Sequence, residues 1–119
     1  MYYLTIKEHF DAAHFLRNYQ GKCANMHGHR WVCHVTVKGN EVDECGMVID
    51  FGEIKALVRG IIIPLDHHTL NEIKPFTIVN PTAELIAKYI YNQIKQELIT
   101  VDSVTVWESP ESSCEYREV

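Results

Sequence analysis

The sequence contains no long hydrophobic run, no block of like charge and no internal repeat. Its longest apolar stretch, at residues 59–65, is far shorter than the roughly 20 residues that a membrane-spanning helix needs. A net charge of −5 without a basic stripe argues against a nucleic-acid partner. The first residues lack the charged-then-apolar order of a signal peptide. We therefore expect a soluble cytoplasmic protein that binds neither membrane nor nucleic acid.

The chain has four cysteines and is rich in histidine. The four cysteines are expected to be free thiols, because the cytosol keeps thiols reduced. Cys33 occupies an inward-facing position of a predicted strand and is expected to be a small core residue, whereas no function is predicted for Cys45 or Cys114. The chain has seven histidines, and most of them fall in or face two clusters that carry the candidate chemistry.

The length of 119 residues predicts one domain over residues 1–119. Residues 30–38 alternate between apolar and polar side chains, which is typical of a half-buried strand. Further strands are predicted at residues 2–9, 47–50, 101–108 and 113–119.

Two helices are predicted in mid-chain. Asp50 and Glu53 form a capping-box pattern before apolar residues at helical spacing, and Pro64 ends that helix. The second helix begins at "NPTAE", with Pro81 in its first turn. Apart from the short segment 47–50, the strands and helices follow the order ββααββ, which predicts an α+β fold with a four-stranded antiparallel sheet and both helices on one face. So small a sheet leaves two edges, which favours a homo-oligomer joined through the sheet.

The segment "HGH" places His27 and His29 on one side of an extended chain, so both rings can bind one metal ion. They share the face of Trp31, which we expect to be buried. His14, at the end of the first strand, is the third candidate ligand. Three histidines with an open position are typical of catalytic zinc. The alternative is a loop with two solvated histidines.

Cys23 precedes "HGH" by four positions and allows two interpretations. As a fourth ligand it would close a structural metal site. As a free thiol near a cation it would ionise more easily and could act as a base. The spacing does not decide between them.

A second cluster, "LDHHTLN", places Asp66 next to His67 and His68. A carboxylate beside an imidazole fixes its tautomer and supports acid–base work. One of these histidines could instead bind metal, or the segment could be a polar loop. Glu108 ends the predicted third strand, where it could pair with an amidine-like ligand edge or simply be solvated.

The motifs "FDAAH", "C-x₃-HGH", "DFGEIK", "LDHHTLN", "NPTAE" and "WES" occur in an order that resembles the 6-pyruvoyltetrahydropterin synthase family. The resemblance covers residues 2–118. The short gap between Cys23 and "HGH" is similar to the bacterial branch of queuosine biosynthesis, because the animal branch typically has a longer gap.

The resemblance implies a role for each candidate residue. The implied ligands of one zinc ion per subunit are His14, His27 and His29. Cys23 would be the general base, supported by an Asp66–His67 relay with His68 nearby. Glu108 would anchor a pterin ring through its amino-pyrimidine edge, with Thr82 close by.

The same resemblance implies a carbon–carbon lyase with the tunnelling fold (T-fold). Its substrate would be 7,8-dihydroneopterin triphosphate, and its products 6-carboxy-5,6,7,8-tetrahydropterin, acetaldehyde and triphosphate. Subunits would join their sheets into a barrel, as a hexamer of two trimers. Two alternatives remain: a 6-pyruvoyltetrahydropterin synthase that stops before carbon–carbon cleavage, and a non-catalytic, zinc-stabilised oligomer with Cys23 as fourth ligand.

Overall fold

In the computed structural model, which describes residues 1–119, four strands form one antiparallel sheet. The strands are β1 (Tyr2–His14), β2 (His27–Gly39), β3 (Val101–Ser109) and β4 (Ser112–Tyr116), in the spatial order β1–β2–β3–β4. The helices α1 (Phe51–Ile62) and α2 (Ala83–Glu97) lie between β2 and β3 in sequence and pack on one face of the sheet. The predicted α+β fold is confirmed. Neither helix is long and apolar enough to cross a membrane.

The hydrophobic core lies between the sheet and the two helices. The side chains of Trp31, Cys33 and Val35 are fully buried there, which confirms the predicted inward face of β2. Phe10 of β1 stacks on Trp31 with ring centroids 6.2 Å apart. Burial of these large apolar groups is the main stabilising term of the fold. His14 lies on the same face of the sheet, so this candidate ligand points to the same side as the core residues.

β1 and β2 pair over their whole length, from Tyr2 opposite Gly39 to His14 opposite His27. The strands predicted at residues 2–9 and 30–38 were therefore too short, because the pairing continues to His14 and His27. Ala12, Ala13 and Gly28 have weak strand propensity, and cross-strand pairing overrides it. This longer pairing brings the candidate metal ligands His14 and His27 opposite each other.

The predicted strand at residues 47–50 was wrong. β2 is already paired with β1 on one side and β3 on the other, so it has no free edge for a further strand. The segment is instead irregular and follows a turn at residues 43–47, where the carboxylate of Asp43 accepts hydrogen bonds from the backbone N–H groups of Cys45 and Met47. β4 also ends earlier than predicted, at Tyr116.

Two predicted helix starts differ in detail. Asp50 caps α1, but its carboxylate accepts from the N–H of Gly52 rather than from that of Glu53, so the predicted capping box was wrong. Thr82 caps α2 by accepting from the N–H of Leu85. Pro81 therefore precedes the cap instead of lying in the first turn, which leaves its carbonyl free for a partner from β1.

The chain that follows β1 is held by two asparagine side chains. Asn71 accepts from the N–H of Phe15 and donates to its carbonyl, at 3.0 and 2.9 Å. Asn80 makes the same pair of bonds with Arg17, at 2.9 and 3.0 Å. These side chains replace the strand partner that the segment lacks, and they fix the end of β1 beside the loop before α2.

Candidate metal centre and active site

Three histidines converge at the end of the β1–β2 ladder. His14 and His27 are opposite each other in register, and His29 is two residues further along the same face of β2. The Nε2 atoms of His14 and His27 are 3.0 Å apart. Ligand atoms of these histidines and of Glu108 all lie within 4.8 Å of one another. The residues predicted as metal ligands are thus brought together, with one carboxylate added.

Backbone carbonyls fix the tautomers of two of these rings. The Nδ1 atom of His14 is 2.7 Å from the carbonyl oxygen of Pro81, and that of His27 is 2.6 Å from the carbonyl of Asn25. Because a carbonyl only accepts, each Nδ1 carries the proton and each Nε2 presents a lone pair. Two lone pairs 3.0 Å apart repel each other unless a cation lies between them. A carbonyl behind each ring is the usual support of a metal-bound histidine.

Burial keeps the histidines in the form that binds metal. His14 is almost fully buried, and this burial lowers its pKa. Burial also lowers the pKa of His29. Both rings are therefore neutral at neutral pH, as a ligand must be. The Nε2 atom of His29 is buried without a hydrogen bond. A metal ion would satisfy this orphaned atom, so the donor set fits one.

Glu108 turns its carboxylate towards the same point from β3. Its Oε1 atom is 3.4 Å from Nε2 of His14 and 3.2 Å from Nε2 of His29, but the angle to His29 does not make a hydrogen bond. Glu108 also lines a cavity of about 650 Å³, together with His29, Trp107 and other residues of the open sheet face. Its carboxylate can thus reach both the histidines and a ligand in that cavity.

Cys23 lies beside this cluster and is not one of its converging atoms. It is half-buried in a short 3₁₀ turn, Lys22–Ala24, whose position is fixed because the carbonyl of Cys23 accepts from the N–H of Leu16. The residue lines a cavity of about 370 Å³ together with His27, His29 and Glu108. This placement leaves the thiol free for a ligand next to the histidines.

Asp66 and His67 form the second group, in the loop after α1. The Nδ1 atom of His67 is 3.0 Å from Oδ2 of Asp66. The other oxygen of Asp66 accepts from the N–H of Asp11 at 2.8 Å, and this bond is the largest cause that lowers the pKa of Asp66. His67 has a left-handed backbone, with φ of 59°. Such strain is concentrated at functional sites.

Within one chain, His67 and Cys23 line different cavities, although His29 lines both. The ring of His68 donates from Nδ1 to the carbonyl of Asp66 at 2.7 Å, which supports the loop. Thr82 uses its hydroxyl to cap α2, directly after the carbonyl of Pro81 that holds His14. These positions leave the predicted roles of the site residues as proposals.

Several residues of the site were not predicted. The carbonyls of Asn25 and Pro81, which orient two histidine rings, carry no sequence signal because any residue has a carbonyl. An ion pair between Asp11 and Arg30 was also missed. It could have been found by aligning "FDAAH" against "HGHR" in the antiparallel register that places His14 opposite His27.

The sequence and the fold match a known family. The sequence model described as 6-pyruvoyl tetrahydropterin synthase matches residues 3–119. The chain belongs to this family. Its four-stranded sheet with two helices is the T-fold of 6-pyruvoyl tetrahydropterin synthase structures. The structure named for the Caenorhabditis elegans 6-pyruvoyl tetrahydropterin synthase matches with a TM-score of 0.88 and 28% identity, covering 100% of this chain and 98% of that one.

Two bacterial proteins similar to this chain are named 6-carboxy-5,6,7,8-tetrahydropterin synthase. The chain is 33% identical over 141 residues to the 6-carboxy-5,6,7,8-tetrahydropterin synthase of Haemophilus influenzae, covering 99% of this chain and 100% of that protein. It is 37% identical over 120 residues to the protein of that name from Bacillus subtilis, covering 92% of this chain and 80% of that protein.

Proposed function

We propose that this member of the family converts 7,8-dihydroneopterin triphosphate and one water molecule to 6-carboxy-5,6,7,8-tetrahydropterin, acetaldehyde and triphosphate, as a cytoplasmic enzyme of queuosine biosynthesis. The observation that carries the proposal is the convergence of three imidazoles beside a free thiol. The names of the bacterial relatives support the proposed product.

Zinc is the proposed metal, held one per chain by His14, His27 and His29. Tetrahedral nitrogen sites suit zinc, and three neutral ligands leave it strongly electrophilic. When bound, zinc would supply Lewis-acid polarisation of oxygen atoms on the substrate side chain. The carbonyls behind His14 and His27 hold the rings in the ligating tautomer.

Cys23 is proposed as the general base. Its thiolate takes a proton from a carbon of the substrate side chain, and the adjacent cavity lets that side chain lie between the sulfur and the histidines. Proton transfer by a positioned group contributes on the order of 10²–10⁴-fold to a rate.

Asp66 and His67 are the proposed proton relay. Asp66 accepts from Nδ1 of His67, which leaves Nε2 of that ring able to exchange protons with substrate. Because Cys23 and His67 line different cavities of one chain, we propose that a relay from one subunit completes the site of its neighbour. The open edges of β1 and β4 are where a hexamer of two trimers would form.

Glu108 is the proposed anchor of the pterin ring, with Thr82 near the same end of the fold. A carboxylate can accept two parallel hydrogen bonds from an amino-pyrimidine edge. Trp107 lines the same cavity as Glu108 and adds an aromatic side chain to it. The two hydrogen bonds to the carboxylate would select the pterin over rings without the amino group.

The test is to incubate the zinc-loaded protein with 7,8-dihydroneopterin triphosphate and to determine the pterin product by mass spectrometry. The proposal expects the 6-carboxy product. The structural match to a protein named 6-pyruvoyl tetrahydropterin synthase favours one alternative, in which a pyruvoyl pterin accumulates. A protein that binds zinc and turns over neither would be the non-catalytic oligomer.

A further inference from the structure

A second polar cluster lies on the opposite side of β1 from the core, at the point where the loop after α1 meets the strand. Ligand atoms of Asp11, Asp66 and His67 lie within 4.8 Å of one another. Arg30, opposite Asp11 on β2, binds it through two bonds: Nε to Oδ1 at 2.9 Å and a terminal nitrogen to Oδ2 at 3.1 Å. Both oxygens of Asp11 are thus engaged by a guanidinium, which argues against a cation at this cluster.

The main chain of Asp11 holds both members of the Asp66–His67 pair. Its N–H donates to Oδ1 of Asp66 at 2.8 Å, and its carbonyl accepts from the N–H of His67 at 2.6 Å. The second bond fixes the left-handed backbone of His67. A shift of Asp11 would therefore move the carboxylate and the imidazole together.

The charge of Asp11 bears on the same pair. The bond from Asp11 N–H lowers the pKa of Asp66, whereas the nearby Asp11 carboxylate acts in the opposite direction. Arg30 offsets that carboxylate and holds the pKa of Asp11 below its usual range. The charged or titratable groups around the His67 ring are Asp66 and His68 from its own loop, Asp11 from β1, and His29 and Arg30 from β2. His9 of β1 acts on Asp11.

We propose that Arg30 is a positioning residue for the Asp66–His67 relay: its two-bond ion pair with Asp11 anchors the main chain that holds the relay and neutralises the carboxylate beside it. That the pair is a catalytic relay rests on the proposed function. The contacts of Arg30, Asp11, Asp66 and His67 lie within this chain and do not depend on it. Arg30 also lines the cavity that Glu108 shares with Trp107.

The test compares wild type with Arg30→Gln, Asp11→Asn and the double variant, all zinc-loaded and at low salt. The titration midpoint of the His67 ring is followed by NMR, with His67→Gln used to assign its signal. Arg30→Gln leaves the Asp11 carboxylate unpaired, and a negative charge nearby favours the protonated ring, so the midpoint should rise. Asp11→Asn leaves Arg30 unpaired, so the midpoint should fall. The double variant should return close to wild type.

Turnover gives the second readout. Arg30→Gln should lower kcat several-fold while zinc content stays unchanged. The limb of the pH–rate profile that is lost in His67→Gln should move to higher pH together with the NMR midpoint. Arg30→Lys keeps the charge and should keep that limb in place.

The outcomes separate this inference from the proposed function. A His67 midpoint that is unmoved in both single variants, or that moves in the same direction in both, overturns the inference even in an active enzyme. Opposite shifts in a protein that does not convert the pterin triphosphate support the inference and count against the proposed function. Should Arg30→Gln not fold, Asp11→Asn alone decides, because its midpoint must fall.

Discussion

His14 and His27 lie opposite each other at the end of the β1–β2 ladder, with their Nε2 atoms 3.0 Å apart and each Nδ1 bound to a backbone carbonyl. The two strands thus present two lone pairs to the same point. A sheet ladder is a rigid way to build such a pair, because the register sets the separation of the rings.

Loss of a ligating ring should remove the metal. His27→Ala and His29→Ala are expected to lose the zinc, at about one ion per chain in wild type, because two imidazoles bind far more weakly than three. Metal analysis after gel filtration measures the loss. His9→Ala is the matched control, since His9 is exposed on the opposite side of β1. If His27→Ala and His29→Ala held as much zinc as the control, these two residues would not be metal ligands.

Cys23→Ala separates a base from a ligand. The thiol is outside the group of converging ligand atoms, so zinc content should stay at the wild-type level while turnover falls by roughly 10²-fold or more. Alkylation with iodoacetamide should likewise abolish activity without releasing zinc. Cys45→Ala, at an exposed turn, is the control and should change neither. Zinc release in step with alkylation of Cys23 would indicate a structural site.

The metal-free protein should lose stability in mild acid. Burial lowers the pKa of His14 and His29, so the unfolded chain binds more protons than the folded one as pH falls below the ordinary value of 6.5. The stabilising contribution is therefore complete above that pH and is lost as pH falls towards the folded pKa. Melting temperatures of chelator-treated protein between pH 7.5 and 5 measure the slope. His14→Gln should flatten it, and an unchanged slope in that variant would contradict the assignment.

The chain should assemble through its sheet edges. Much of β1 and all of β4 have one strand neighbour, and only the end of β1 is covered, where Ala13 bonds to the carbonyl of His68 and pairs with Thr69. Unpaired edges are either covered or joined. Sedimentation should show an oligomer, with a hexamer expected. A stable and fully active monomer would contradict both the assembly and the shared active site.

The sequence predicted the fold class and the meeting of His14, His27 and His29, because both depend on periodicity and on strand pairing. Alternation along β2 correctly assigned its buried face. Details that depend on competition for partners were not predictable. The segment 47–50 has strand-like residues, but β2 has no free edge for it.

The interactions that orient the site were missed for a different reason. The carbonyl of Pro81 reaches His14 across 67 positions of sequence. The pair of Asp11 and Arg30 becomes visible only once the β1–β2 register is known. Local sequence holds the residue types, whereas the contacts come from the tertiary fold.

Release of acetaldehyde from 7,8-dihydroneopterin triphosphate is the most direct test of the proposed function. Acetaldehyde and triphosphate are measured together for the zinc-loaded wild type, with Cys23→Ala as the matched blank. The expected result is one acetaldehyde for each triphosphate released, and neither product from the variant. Triphosphate without acetaldehyde, or no product at all from fully zinc-loaded wild type, would contradict the proposed carbon–carbon cleavage.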